Sequence, residues 1–389
     1  DMARDKAELL MIPRDTMTEI TLTDLSGNVL GRDIQHLALG YAYGDGRDKS
    51  CQYMKEAVSN LLGGLAIDGY MAISMSALPI INDGVGGVTV TVKEQGMERA
   101  DPEFIYGQTV TLKGRQAEEY IRCRDTGQAQ SALGRAERQK SYIEGLLQAA
   151  KIKSGKDDSF VSGLSKETEP YMVTDMTKDR YLDMALAALA ASQAVISYAA
   201  NSPGTGPVIG DNGGDSDYDI GERVDSVSGK GTIGTAQGVN TVQISRTGVT
   251  TNSKGQVIVG DTALELIAGD ERAVAGLPES TVTTINGINS GSPLSGVVPG
   301  TNLDGYNALI STHAIVTKDA ATDTEKAGMV EVPLYVPNLV DGLGEVQVLF
   351  YNNLTGTWTV IQPNRVDAAS KTIWFNIPNS GTFSVIYKR

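Results

Sequence analysis

Tyr120–Lys140, YIRCRDTGQAQSALGRAERQK, gathers Arg122, Arg124, Arg135 and Arg138 into one short piece of an otherwise acidic chain. Arg122 and Arg124 are two residues apart, so on an extended segment they point to the same side. Arg135, Arg138 and Gln139 follow the i, i+3, i+4 spacing that shares one helix face. A strand end followed by a helix therefore brings both sets together as a fork of guanidiniums. Such a fork suits phosphate, because arginine offers planar, paired donors and keeps its charge.

Upstream, strand and helix signals alternate. AELLMI (7–12) reads as a buried strand that stops at Pro13 and leaves Arg14 at its end. A polar excursion with a turn at Ser26-Gly27-Asn28 follows, then the apolar, aromatic run Ile34–Tyr43. Residues 50–62 carry apolar side chains near a 3.6 period with Gly63-Gly64 as the stop, which predicts a helix. Tyr70–Ser74 and Val88–Val92 read as strands and Ser76–Asn82 as a helix. Another helix starts at 112–117 and runs into the arginine stretch, and a further one covers 131–150. The alternation predicts an α/β (α+β) layered domain with a central mixed sheet flanked by helices. Gly84–Gly87 lacks the lysine and the helix start of a phosphate-binding P-loop, so it reads as a turn.

Downstream, Thr177–Ala200 reads as a last long helix. Residues 201–236 are dense in Gly, Ser and Asp, which is linker composition. Beyond them short strand patterns separated by turn residues dominate, Thr281–Ile285 among them. They predict a mostly antiparallel β-sandwich region, Ig-like, over 237–389. Both tryptophans, Trp358 and Trp374, lie there. Binding, spacing or adhesion is the default reading of that region, with an aromatic carbohydrate platform using Trp358 or Trp374 as the minority one. The domain plan is therefore 1–200, a linker, and 237–389.

Composition excludes several classes. Hydrophobic content of 41% with 21% charged residues fits a soluble globular protein. A net charge of -14 argues against nucleic acid as a partner, which needs a broad basic surface. Two cysteines, Cys51 and Cys123, are too few for a disulfide scaffold or a zinc site. With only His36 and His313, a histidine-rich metal centre is excluded, and His36 reads as structural rather than as a base. No run reaches the length of a membrane span.

Taken together, these pieces carry a family resemblance. Ile12-Pro13-Arg14-Asp15-Thr16, Ile34-Gln35-His36 through Tyr41-Ala42-Tyr43-Gly44, Gly86-Gly87-Val88-Thr89-Val90, Leu112–Ala117, Tyr120–Arg124 and Arg135-Ala136-Glu137-Arg138-Gln139 stand in the order and spacing of one family. Residues 7 to about 200 resemble the LytR–CpsA–Psr family of extracytoplasmic cell-wall enzymes. The resemblance implies a phosphotransferase that moves a glycopolymer, of teichoic acid or capsular polysaccharide type, from a polyprenyl-pyrophosphate carrier to peptidoglycan. It implies Arg14, Arg122, Arg124, Arg135 and Gln139 as pyrophosphate contacts, with Arg14, Arg122 and Arg124 at the catalytic centre. Arg138 and Arg32 are further candidates; Arg32 stands one register away from the lysine usual before Ile34, which is Asp33 here. A divalent cation, Mg, is implied as cofactor, held by acidic residues expected upstream of Asp1 together with an N-terminal membrane anchor. The alternative reading is a catalytically inactive surface scaffold that retains the polyprenyl-phosphate-binding domain.

Overall fold

A computed structural model describes residues 6–14, 16–123, 131–191, 193–198, 242–246, 249–254, 256–268 and 274–388. Helices mix with small sheets in the N-terminal half, and antiparallel strands dominate the C-terminal part. By packing, the chain forms two units: Asp1–Met17 with Val58–Gly231, and Thr18–Ala57 with Thr232–Arg389.

In the first unit the strand Lys6–Met11 pairs in parallel with Gln193–Tyr198. A parallel pair demands a long crossover, and nearly the whole unit supplies it. The strand Gln193–Tyr198 lies where one continuous helix was expected from Thr177 to Ala200. The helix instead covers Lys178–Ala190 and ends as Ala191 takes an extended conformation. The β-branched pair Val195-Ile196 beyond it favours the pleated partner over another helical turn. Two antiparallel pairs complete the described strands of the unit: Met71–Ile73 with Met172–Thr174, and Thr89–Thr91 with Thr109–Thr111.

A core of Val88, Val90, Val92, Met97, Phe104, Leu112, Ala117, Tyr120, Tyr142 and Phe160 joins this last hairpin to the helices Gln116–Arg122, Ser131–Ser154 and Phe160–Thr168. Phe104 meets Tyr120 edge-on, with ring centroids 5.6 Å apart. Fully buried Asn82 ties the hairpin to the helix Leu78–Gly84: its side chain donates to the Leu112 carbonyl at 2.8 Å and accepts from the Val88 amide at 3.2 Å. The glycine run beside it is a tight turn. Gly87 has φ +92°, and a Cβ there would sit 2.9 Å from the Leu112 carbonyl oxygen, so the turn demands glycine.

The second unit is a two-sheet sandwich. Its larger sheet runs Thr250–Thr251, Val257–Val259, Thr262–Ala268, His313–Asp319, Gly381–Lys388, Gly344–Asn352, Thr357–Ile361, with Tyr306–Ala308 also on Gly381–Lys388. The smaller runs Arg365–Asp367, Thr372–Ile377, Val330–Tyr335, Gln243–Ile244. Alternate side chains of both sheets, among them Val332, Leu334, Ile373, Phe375, Val348, Phe350, Phe383 and Val385, share one core. The expected strand Thr281–Ile285 is instead part of a helix, Glu279–Asn289. Thr281, Ile285 and Ile288 are buried at spacings of four and three, so packing of a helical stripe overrides the β propensity of a Thr/Val/Ile run.

Residues of Thr18–Ala57 complete this sandwich unit. The strands Met17–Thr23 and Val29–His36 form a hairpin, followed by the helices Leu37–Ala42 and Asp48–Leu61. At the hairpin turn the buried carboxylate of Asp24 accepts from the Ser26 and Asn28 amides at 2.9 and 2.8 Å, and from the Tyr387 hydroxyl at 2.9 Å. Asn338 donates to the Thr23 carbonyl at 3.1 Å and to that of Leu309 at 2.8 Å. Gln35 donates to the Pro337 carbonyl at 2.8 Å, and Lys371 pairs with Asp33 at 2.8 Å. The bonds of Tyr387 to Asp24, Asn338 to Thr23 and Gln35 to Pro337, and the Lys371–Asp33 pair, each join partners more than 300 positions apart in sequence.

Two outcomes follow from these ties. Tyr387→Phe should lower the stability of the sandwich unit by about 1–2 kcal/mol, and a double-mutant cycle with Asp24→Ala should give a coupling of about 1 kcal/mol. Tryptophan fluorescence in urea reads both, since Trp358 and Trp374 belong to this unit; zero coupling would contradict the tie. Burial, helped by the nearby Asp33 carboxylate, pushes the Tyr335 phenol up to about 12 from 10.0. A group that holds its proton more tightly when folded contributes fully below its unfolded pKa, and that contribution is lost as pH rises through the folded value. Stability should therefore fall between pH 10 and about 12, and Tyr335→Phe should flatten that fall in alkaline melts.

Candidate phosphate-binding helix pair

Gln116–Arg122 is a helix because QAEEYIR consists mostly of strong helix formers, with Glu118 and Glu119 in its first turn and Arg122 in its last. Before it, the Gln116 side chain accepts from the Lys113 amide at 3.1 Å and closes the entering turn. Arg122 consequently ends a helix, where an extended segment was expected. It pairs with Glu118 one turn earlier at 3.0 Å, an i, i+4 pair with both side chains partly exposed. Cys123 caps the helix end, its amide donating to the Glu119 carbonyl. Arg124 lies outside the described residues, as do Asp15 and residues 201–236 of the expected linker.

Ser131–Ser154 is the second helix, where a helix over 131–150 was expected. Arg135 and Gln139 lie on it, half-buried. Arg138 turns inward and is only 3% exposed. One terminal nitrogen of its guanidinium meets Glu94 at 3.0 Å and lies 3.5 Å from the Met97 sulfur, and the other donates to the Cys123 carbonyl. This single side chain links the C-terminal end of the first helix, the loop after the Thr89–Thr91 strand, and the second helix. Arg122 on one helix and Arg135 and Gln139 on the other are thus carried by a directly bonded helix pair.

The remaining candidates stand elsewhere. Arg14 lies half-buried in the turn after Lys6–Met11, which the Thr16 amide closes on the Pro13 carbonyl at 3.1 Å. Arg32 belongs to the second unit, on the strand Val29–His36, where it pairs with Glu19 at 3.5 Å and with Glu56. His36 is exposed at the start of Leu37–Ala42, and neither Cys51, which is buried, nor Cys123, which is half-buried, forms a disulfide. Glu94 is the residue that sequence reasoning missed. It is a lone acid after a strand, and its partner is 44 positions away.

Burial pushes the Tyr120 phenol up; Arg138 opposes that shift and Glu94 reinforces it. The phenol stays neutral and donates to the Thr91 carbonyl at 3.3 Å. Among the described residues no group of three or more His, Cys, Asp or Glu is placed to hold a metal ion, so the implied divalent cation finds no ligand set there. No helix of the described residues is long and apolar enough to cross a membrane.

Comparison with curated proteins finds no match. Among solved structures, the Lin1025 protein from Listeria innocua is 23% identical, with a TM-score of 0.37 over 51% of this chain and 73% of that one. TagU of B. subtilis is 21% identical, with a TM-score of 0.35 over 51% and 74%. TagT bound to LI-WTA is 18% identical, with a TM-score of 0.38 over 51% and 68%. Residues 1–211, more than half of the chain, match the model of the LytR_cpsA_psr family. The chain belongs to the LytR–CpsA–Psr family.

Proposed function

We propose that this protein is an extracytoplasmic transferase that moves a glycopolymer from a polyprenyl-pyrophosphate carrier to peptidoglycan. Family membership supports a transferase of cell-wall polymers. The observation that carries the finer reading is the bonded helix pair, which presents Arg122 from one helix and Arg135 and Gln139 from the other. In the reaction a hydroxyl of the acceptor attacks the phosphorus next to the polymer. The bond from that phosphorus to the bridging oxygen breaks, the polyprenyl phosphate leaves with the electron pair, and the hydroxyl proton passes to a base. Negative charge builds on the pyrophosphate oxygens as the bond breaks, and fixed guanidiniums stabilise it without a covalent enzyme intermediate.

Arg122 suits this task because its pair with Glu118 is weak. A partly exposed i, i+4 pair contributes about 0.3–0.5 kcal/mol, whereas charge-assisted hydrogen bonds to phosphate are worth about 1.5–3 kcal/mol each. A pyrophosphate can therefore displace Glu118. Arg14 is assigned to the same ligand on the resemblance, and Arg124 likewise.

Arg122→Ala and Arg135→Ala should each weaken binding of a polyprenyl pyrophosphate by roughly ten-fold or more while the circular dichroism melt stays in place. Arg32→Ala serves as the control and should leave binding unaltered. Unchanged affinity in both of the first two variants would sink the assignment.

A further inference from the structure

Resting on the pyrophosphate reading above, we propose that Arg138 is a positioning residue rather than a substrate contact. With Glu94 and the space left by Gly134, it sets the register of the two arginine-bearing helices. Its guanidinium has little to offer a ligand. It is 3% exposed, one terminal nitrogen faces Glu94 and Met97, and the other faces the Cys123 carbonyl.

What it holds is the end of the first helix. A helix leaves its last carbonyls without partners, and a cation near them also opposes the negative end of the helix dipole. The Cys123 carbonyl is such a group, one residue past Arg122. Fixing it fixes where Arg122 leaves its helix. The bond starts from Arg138, which lies three residues after Arg135 and one before Gln139. The clamp therefore determines how far apart the two sets of ligand-facing side chains stand.

Glu94 orients the clamp, and Gly134 admits Glu94. A Cβ at position 134 would lie 2.8 Å from the Glu94 Oε1 and 2.9 Å from its Cδ, closer than real Cβ contacts allow. Gly134 precedes Arg138 by one turn and shares its face, so the missing side chain opens the path by which the carboxylate reaches the guanidinium. The role of this glycine is space.

The two roles predict opposite signs. If Arg138 and Glu94 acted only through charge, Glu94→Gln would remove a negative charge near an anion site and tighten binding. As a clamp, Glu94→Gln loosens the arginine and should weaken binding of farnesyl pyrophosphate by about ten-fold. Gly134→Ala, which changes no charge, should do the same. Arg138→Lys should fail to restore affinity, because a single ammonium cannot bridge both partners as the fork does. Amide exchange at residues 119–123 is measured in parallel on the full chain and should speed up in all three variants.

Tighter or unchanged binding in Glu94→Gln overturns the proposal. So does faster exchange with unaltered binding, since the clamp would then be structural only. If the unaltered chain does not bind farnesyl pyrophosphate, the pyrophosphate reading fails by itself, and unchanged exchange rates in the variants would separately remove the clamp.

Discussion

A guanidinium taken out of water must meet oxygens. Moving such a charge into a protein interior costs several kcal/mol, and that cost is offset only by well-placed acceptors. Arg138 meets the condition at its two terminal nitrogens, with the Glu94 carboxylate and the Cys123 carbonyl, while its buried Nε has no acceptor; the two acceptors come from different parts of the first unit. The helices Gln116–Arg122 and Ser131–Ser154 and the loop at Glu94 are therefore constrained by one side chain. The hydrophobic core is built against the same point. Met97 touches the guanidinium, and Tyr120, which packs edge-on against Phe104, is buried beside it with its phenol kept neutral.

Charge alone does not tell a binding arginine from a structural one in this chain. Arg32, Arg122 and Arg138 all pair with glutamates, as expected where acids outnumber bases. What separates them is burial, from Arg32 on the surface to Arg138 inside the unit. Arg32 meets two carboxylates on an exposed strand surface, and Arg138 meets a carboxylate and a carbonyl inside the unit. Arg122 has the intermediate setting, an i, i+4 glutamate with both side chains partly exposed. That setting anchors a guanidinium while its glutamate can give way to a stronger partner.

The same distinction marks what the amino-acid order could reveal. The helix from 131 onward, the strand within 7–12 and the turn at Gly84–Gly87 were legible because such signals act locally, although Leu9 and Leu10 stand exposed where a buried strand was expected. Arg122 was placed on an extended segment because its helix is only two turns long and ends within the arginine run. The strand Gln193–Tyr198 and the helix Glu279–Asn289 were misread where partners or burial, rather than propensity, decide the conformation. The inward turn of Arg138 could not be read at all. Arg135 and Arg138 have the same side chain and a shared helix face, and what marks Arg138 is its burial against Glu94, 44 residues away, and the Cys123 carbonyl.

The position of Asp33 shows how far such long-range partners reach. The family resemblance leads to a lysine just before Ile34, and the chain has an acid there. Residues Thr18–Ala57 fall inside the family match over 1–211, yet they pack with a sandwich whose strands lie almost wholly beyond it. Within that sandwich unit Lys371 reaches Asp33 at 2.8 Å and also donates to the Leu339 carbonyl at 3.0 Å. A lysine at position 33 would face Lys371 as a like charge in a partly buried setting, which is unfavourable. The acid at position 33 therefore matches the Lys371 ammonium that the C-terminal region brings to it. Arg32 next to it is held by Glu19 and Glu56, so both charged positions of this strand find their partners within the same unit.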